Sequence, residues 1–79
     1  MQLVTSDKNL EIYATYKSKR EFKKLALQKK MRMAIKILEV GGRVKTDIDK
    51  DKRTVHIKCY DSEIYQEILK GFKAVAKMT

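Results

Sequence analysis

His56, Lys58 and Tyr60 stand two residues apart along "TVHIKCY", a spacing that puts all three on one face of an extended strand. The trio has the makings of phosphodiester chemistry, because one imidazole can serve as general base while a lysine and a phenol stabilise charge on the phosphate. Nothing else completes a catalytic set. The sequence shows no nucleophile with a paired base, no metal-binding cluster and no glycine-rich phosphate loop. A lone strand histidine is more often solvent-facing or structural, so no catalytic residue, metal or cofactor is assigned, and an RNase-like site is the minor reading. Cys59, the only cysteine, falls on the opposite face and reads as a small core residue. A single cysteine excludes an internal disulfide and a multi-cysteine zinc site, and favours a reducing cytoplasm.

The second chemistry is electrostatic. "KSKREFKKLALQKKMRMAIK", residues 17–36, carries nine Lys and Arg against one acid, Glu21, so that +8 of the chain's net +9 sits on one stretch. Lys29, Arg32 and Lys36 fall on one strip of a helix, and Lys19, Arg20, Lys23 and Lys24 crowd its first turns, with Lys30 beside them. Pairs such as Lys19 with Lys23, Arg20 with Lys24 and Arg32 with Lys36 repel by about 0.2–0.5 kcal/mol each. Positive charge is also unfavourable at a helix N-terminus, where the backbone dipoles already present a partial positive charge. A phosphate backbone turns these repulsions into attractions and releases counterions as it does so. The eight cations named are the expected phosphate contacts, and they would position a nucleic acid rather than read its bases.

These residues must be held by a small set of elements. "QLVTSDKNLEIYATY" breaks at Ser6 to Asn9, which predicts a short strand around Leu3 and Val4 and a longer one from Leu10 to Tyr16, with Leu10, Ile12 and Ala14 on one face. From Lys19 to Val40 nothing breaks a helix, and Gly41 with Gly42 stops it. At ~1.5 Å per residue that helix spans roughly 33 Å, so its basic first turns are expected to project beyond the sheet. It has two apolar sides: Leu27, Met31, Ala34 and Leu38 on one, and Phe22, Ala26, Met33, Ile37 and Val40 on the other. One side should meet the sheet. The other should pack on the second helix, a dimer contact being the less favoured option.

"RVKTDIDKDKRTVHIKCY" reads as a hairpin with Val44, Thr46, Ile48, Val55, Ile57 and Cys59 inward. Arg43, Lys45, His56, Lys58 and Tyr60 then point outward, with Tyr13 beside them, and Arg43, Lys45 and Lys58 offer a secondary surface for nucleic acid. Asp61 or Ser62 caps a closing helix whose apolar face is Ile64, Ile68, Leu69, Phe72, Val75 and Ala76. The two halves can be laid over each other, Ile12 to Tyr16 on Ile57 to Tyr60. The resulting fold class is α+β, two-layer, in the order β-β-α-β-β-α, with a four-stranded antiparallel sheet and two helices on one face.

Length and composition bound the rest. With 79 residues the chain is one small basic domain, residues 1–79, and at this size only about 60% of the unfolded surface can be buried. Hydrophobic residues at 43% and charged residues at 37%, with no Pro and three Gly, suit a globular α+β or α domain better than a disordered tail. No signal-peptide pattern opens the sequence and no apolar run is long enough to span a membrane, so a soluble cytoplasmic protein is expected.

"NLEIYATYK", the helix with its glycine stop, the "VKTDI…TVHIK" hairpin and the closing helix resemble, over Asn9 to Ala76, the latter part of the double-wing DNA-binding domain of MotA-type phage transcription activators. The resemblance implies duplex-DNA contact through a saddle-shaped sheet side and a role in transcription regulation, in a phage-like setting. The chain departs from that pattern in having a longer, more basic first helix and no separate activation domain, and no site residue is carried over. The expected function is nucleic-acid binding, with duplex DNA favoured over RNA. The alternative is a small inhibitor or adaptor that docks on a host protein such as a polymerase or nuclease.

Overall fold

The computed structural model describes residues 1–23 and 29–78, the side chains of residues 29, 30 and 78 excepted. Four strands, β1 (Gln2–Ser6), β2 (Glu11–Thr15), β3 (Val44–Asp49) and β4 (Thr54–Cys59), form one antiparallel sheet in the order β1-β2-β4-β3. Helical segments α1 (Lys19–Lys23) and α2 (Lys29–Val40) lie between the hairpins, and α3 (Ser62–Met78) follows them. The fold is α+β in the expected element order. The single helix expected over Lys19 to Val40 is seen as α1 and α2, and Lys24, Ala26 and Leu27 lie outside the described residues.

Alternation along the strands decides what is buried. Ile12, Ala14, Val44, Val55, Ile57 and Cys59 face the helices and join Ile64, Tyr65, Ile68, Leu69 and Phe72 of α3 in one core. Among the described side chains of α2, Met31, Ile35 and Leu38 reach that core, and only partly. Gly71 lets α2 come close to α3, since a Cβ there would stand 3.2 Å from the Met31 sulfur. Val75 and Ala76 are half-buried, and Tyr65, absent from the face read off the sequence, is fully buried.

The two halves are related by a pseudo-two-fold axis, and the relation reaches into the hydrogen bonds. Adding 43 to a residue number turns the β1–β2 pairing Gln2↔Thr15 into the β3–β4 pairing Lys45↔Lys58, and Ser6↔Glu11 into Asp49↔Thr54. The same shift relates the two turns. The Ser6 hydroxyl accepts from the Asn9 N–H at 3.2 Å as the Asp49 carboxylate accepts from Lys52 at 3.0 Å. Each turn ends on a residue in the left-handed region, Leu10 and Arg53, both at φ 57°. Non-glycine residues tolerate that conformation poorly, so its recurrence marks a required turn geometry. Across the central seam the Tyr16 N–H donates to the Arg53 carbonyl and the Cys59 N–H to the Leu10 carbonyl, both at 2.9 Å.

The helix starts obey the same rule. Ser18 accepts from the Glu21 N–H at 3.1 Å and Asp61 from the Ile64 N–H at 3.4 Å, each filling one of the orphan donors of a first turn. The register is therefore one in which Ile12 to Tyr16 overlie Val55 to Cys59, correcting the overlay on Ile57 to Tyr60 suggested by residue type alone. Tyr13 and His56 are both equivalent and directly paired, so the axis passes between them. α2 ends on a Schellman motif, the Gly42 N–H donating to Glu39 and the Arg43 N–H to Leu38 with Gly42 at φ 73°.

Two buried tyrosines differ in one respect. The Tyr65 hydroxyl donates to Asp7 at 2.6 Å, whereas the Tyr16 hydroxyl finds no partner among the described residues. Burial, and then the nearby Glu21 carboxylate, push the Tyr16 phenol up to about 12. Because the folded state holds this proton more tightly, the associated stability is present below the unfolded tyrosine value near 10 and fades as pH rises from about 10 to 12. Urea unfolding should find Tyr16→Phe as stable as the parent or about 1 kcal/mol more stable at neutral pH, and less sensitive to alkali. Tyr65→Phe should lose about 1 kcal/mol.

Candidate nucleic-acid interface

The cations of the first helical region are placed by two anchors. Phe22 of α1 packs edge-on against Tyr16, ring centroids 5.5 Å apart, and Glu21 accepts from the Met1 amino group at 2.7 Å and from the Lys17 N–H at 2.8 Å. The amino-terminal hydrogen bond, followed by that of Lys17, holds the Glu21 carboxyl below the usual carboxylate range. α1 is thus fastened to Met1 and Tyr16 at one end of the β1–β2 hairpin. The acid of this stretch is thus held by the amino terminus and by Lys17, and pairs with none of Lys19, Arg20 and Lys23 among the described residues.

Lys19, Arg20 and Lys23 on α1, and Arg32 and Lys36 on α2, are exposed, and among the described residues no carboxylate pairs with any of them. Lys29 and Lys30 form the first turn of α2 by their backbone, and Lys24 lies outside the described residues. With Met31, Ile35 and Leu38 turned to the core, helical geometry puts Arg32 and Lys36 on the flank facing β3, where Glu39 binds the Thr46 hydroxyl at 2.8 Å.

The secondary surface is mixed. Lys45, Lys58 and Glu11 lie in one row across the open sheet face, and Asp47, His56 and Tyr13 in the next. Lys45 directly opposite Lys58 is a like-charge pair of the kind that disfavours pairing unless an anion is near. Arg43 does not join them. It leaves the outward set to meet Asp61, the cap of α3, at 3.4 Å, and lines the gap between α2 and α3.

His56 has two partners on the open face. Its Nε2 lies 3.2 Å from a Glu11 carboxylate oxygen and its ring stacks on Tyr13, centroids 4.0 Å apart and planes within 5°. Cys59 is buried, and burial pushes its thiol up, away from the reactive thiolate. Among the described residues no three His, Cys, Asp or Glu side chains gather as metal ligands, and no helix is long and apolar enough to cross a membrane.

The feature that sequence reasoning placed wrongly is the second apolar side of α2. Met33, Ile37 and Val40 are 65, 70 and 84% exposed, covered by neither the sheet nor α3. Ile48, expected inward, is 52% exposed because α2 leaves that end of β3 bare. Between α2 and β3 lies an apolar groove of about 450 Å³, with Val55, Ile57 and Phe72 in its lining and Arg32 and Lys36 at its rim. The chain matches no protein-family model, no curated protein and no solved structure.

Exposure separates the two sides of α2 experimentally. Ile37→Gln and Val40→Gln should each change unfolding stability by no more than about 0.5 kcal/mol, whereas Ile35→Ala and Leu38→Ala should each cost about 1–2 kcal/mol in the same urea titration.

Proposed function

We propose that the chain is a nucleic-acid-binding protein that grips a phosphate backbone with the cations of α1 and α2, duplex DNA ahead of RNA. The observation that carries this reading is the unneutralised set Lys19, Arg20 and Lys23 on α1 and Arg32 and Lys36 on α2, left without acidic partners among the described residues while Glu21 is held by the amino terminus. Lys24, Lys29 and Lys30 belong to the same proposal by sequence. Lys45 and Lys58 form a lesser contact on the open face, and Arg43, expected with them, is ion-paired with Asp61. The preference for duplex DNA and a role in transcription regulation rest on the resemblance to MotA-type domains.

A second reading has its own support. Met33, Ile37 and Val40 form an exposed apolar stripe beside the cations, a combination suited to an acidic protein surface. Under that reading the chain is an adaptor or inhibitor of a nucleic-acid enzyme.

Affinity measured against salt separates the two. For wild type, the logarithm of affinity for duplex DNA should fall steeply with the logarithm of salt. A Lys29→Ala, Arg32→Ala, Lys36→Ala triple variant should flatten that slope by about 2–3, since each lost phosphate contact removes roughly 0.9. An unchanged slope removes the phosphate assignment. Retention of a stoichiometric protein from nuclease-treated lysate, with no shift of DNA or RNA, favours the adaptor.

A further inference from the structure

The edge strand β3 contains a chemical palindrome. Val44-Lys45-Thr46-Asp47-Ile48 reads apolar, cation, threonine, anion, apolar, and its pattern is complementary to itself when two copies run antiparallel about Thr46. In that register Lys45 of each copy faces Asp47 of the other, Val44 faces Ile48, and Thr46 faces Thr46. Directly opposed residues lie on the same side of an antiparallel sheet, so both charge pairs fall on the open face and both apolar pairs on the helix face.

The backbone is available in the same phase. The Tyr60 N–H donates to the Arg43 carbonyl at 3.3 Å, and these two residues lie opposite each other in the β3–β4 register. Alternation from that pair turns the peptide groups of Lys45, Asp47 and Asp49 toward β4, and those of Val44, Thr46 and Ile48 outward. Among the described residues no strand follows β3 in the sheet. The outward groups are the ones that a copy centred on Thr46 would use.

We propose that the chain dimerises edge to edge through β3, two copies pairing antiparallel about a two-fold axis at Thr46 to give one continuous eight-stranded sheet. The contact explains two features that the isolated chain leaves open. Ile48, half-exposed although it points to the helix layer, gains the partner's Val44 beside it. The apolar groove beneath α2, which has Ile48, Val55, Ile57 and Phe72 in its lining, is extended by the partner's own and sealed along β3. Each chain carries +9, yet the seam itself is neutral because every Lys45 meets an Asp47. A contact of this kind is closed, so it stops at two copies instead of propagating along the edge.

Charge exchange tests the register. Sedimentation equilibrium of the full chain, freed of nucleic acid and at physiological ionic strength, should give a mass near twice the 9.3 kDa of one chain. Lys45→Asp and Asp47→Lys each place two like-charged pairs in the seam and should weaken dimerisation about tenfold or more. Mixing the two variants restores both attractions and should recover a dimer containing one of each. A chain carrying Lys45→Asp together with Asp47→Lys keeps the composition and should dimerise as wild type, and this variant carries the test if either single variant fails to fold. A monomeric wild type, single variants that dimerise undiminished, or folded variants whose mixture stays monomeric would each overturn the proposal.

Discussion

Pairing of β2 with β4 is the interaction on which the rest of the molecule depends. A lone hairpin is marginal in water, and each half here supplies one hairpin with an apolar side that it cannot cover by itself. Joining them sets Ile12 against Ile57 and Ala14 against Val55, and gives α3 a floor on which to bury Tyr65 and Phe72. The seam is closed at each end by one backbone hydrogen bond, Tyr16 to Arg53 and Cys59 to Leu10. Leu10 and Arg53 must turn their carbonyls toward the neighbouring hairpin to make those bonds, and both do so from a left-handed backbone. Local strain and tertiary pairing are in this way the same feature seen at two scales.

The same alternation divides the molecule into two surfaces with different physics. Inward positions are almost wholly apolar, so the core contains no buried charged side chain among the described residues. Outward positions mix Lys45 and Lys58 with Asp47 and Glu11, whose charges partly compensate across the strands, and His56 lies among them. α2 sits between these regimes. Met31, Ile35 and Leu38 tie it to the core, the Thr46–Glu39 hydrogen bond ties it to β3, and the remaining circumference is cationic or apolar and open to water. A core of this size has little area to spare for holding so charged a helix, which accounts for its shallow seat.

Most of the architecture was legible from residue pattern. Alternation in "VKTDI" and "TVHIK", the polar turns at Ser6–Asn9 and Asp49–Lys52, the paired glycines and the Asp61 cap each specify a local geometry, and together they leave few ways to assemble the sheet. What was not legible depended on coverage. Tyr65 is left off the apolar face by its polar end, and its full burial depends on Asp7, far away in sequence, taking its hydroxyl. Helical periodicity shows that Met33, Ile37 and Val40 share a side, yet it cannot tell how far α3 leans toward them. Arg43 looks like an outward strand residue, and only the turn into α3 reveals Asp61 within its reach. The overlay of the halves was misjudged by matching isoleucine to isoleucine and tyrosine to tyrosine, whereas turn and cap geometry, not residue identity, carries the repeat.

The frame is nearly symmetric and its charge is not. The backbone relates the Ser18 cap to the Asp61 cap and one turn to the other, yet residues 17–36 hold +8 of the net +9, and α3 opens with Glu63. Exchanging the two hairpins would leave the pairing register of the sheet unchanged, but the cationic stretch would move to the opposite side. In the field of any polyanion such a body experiences a torque before it makes contact, and it arrives with its cationic half leading. Orientation on approach is thereby set by where the charge sits, on a sheet whose two hairpins share one register.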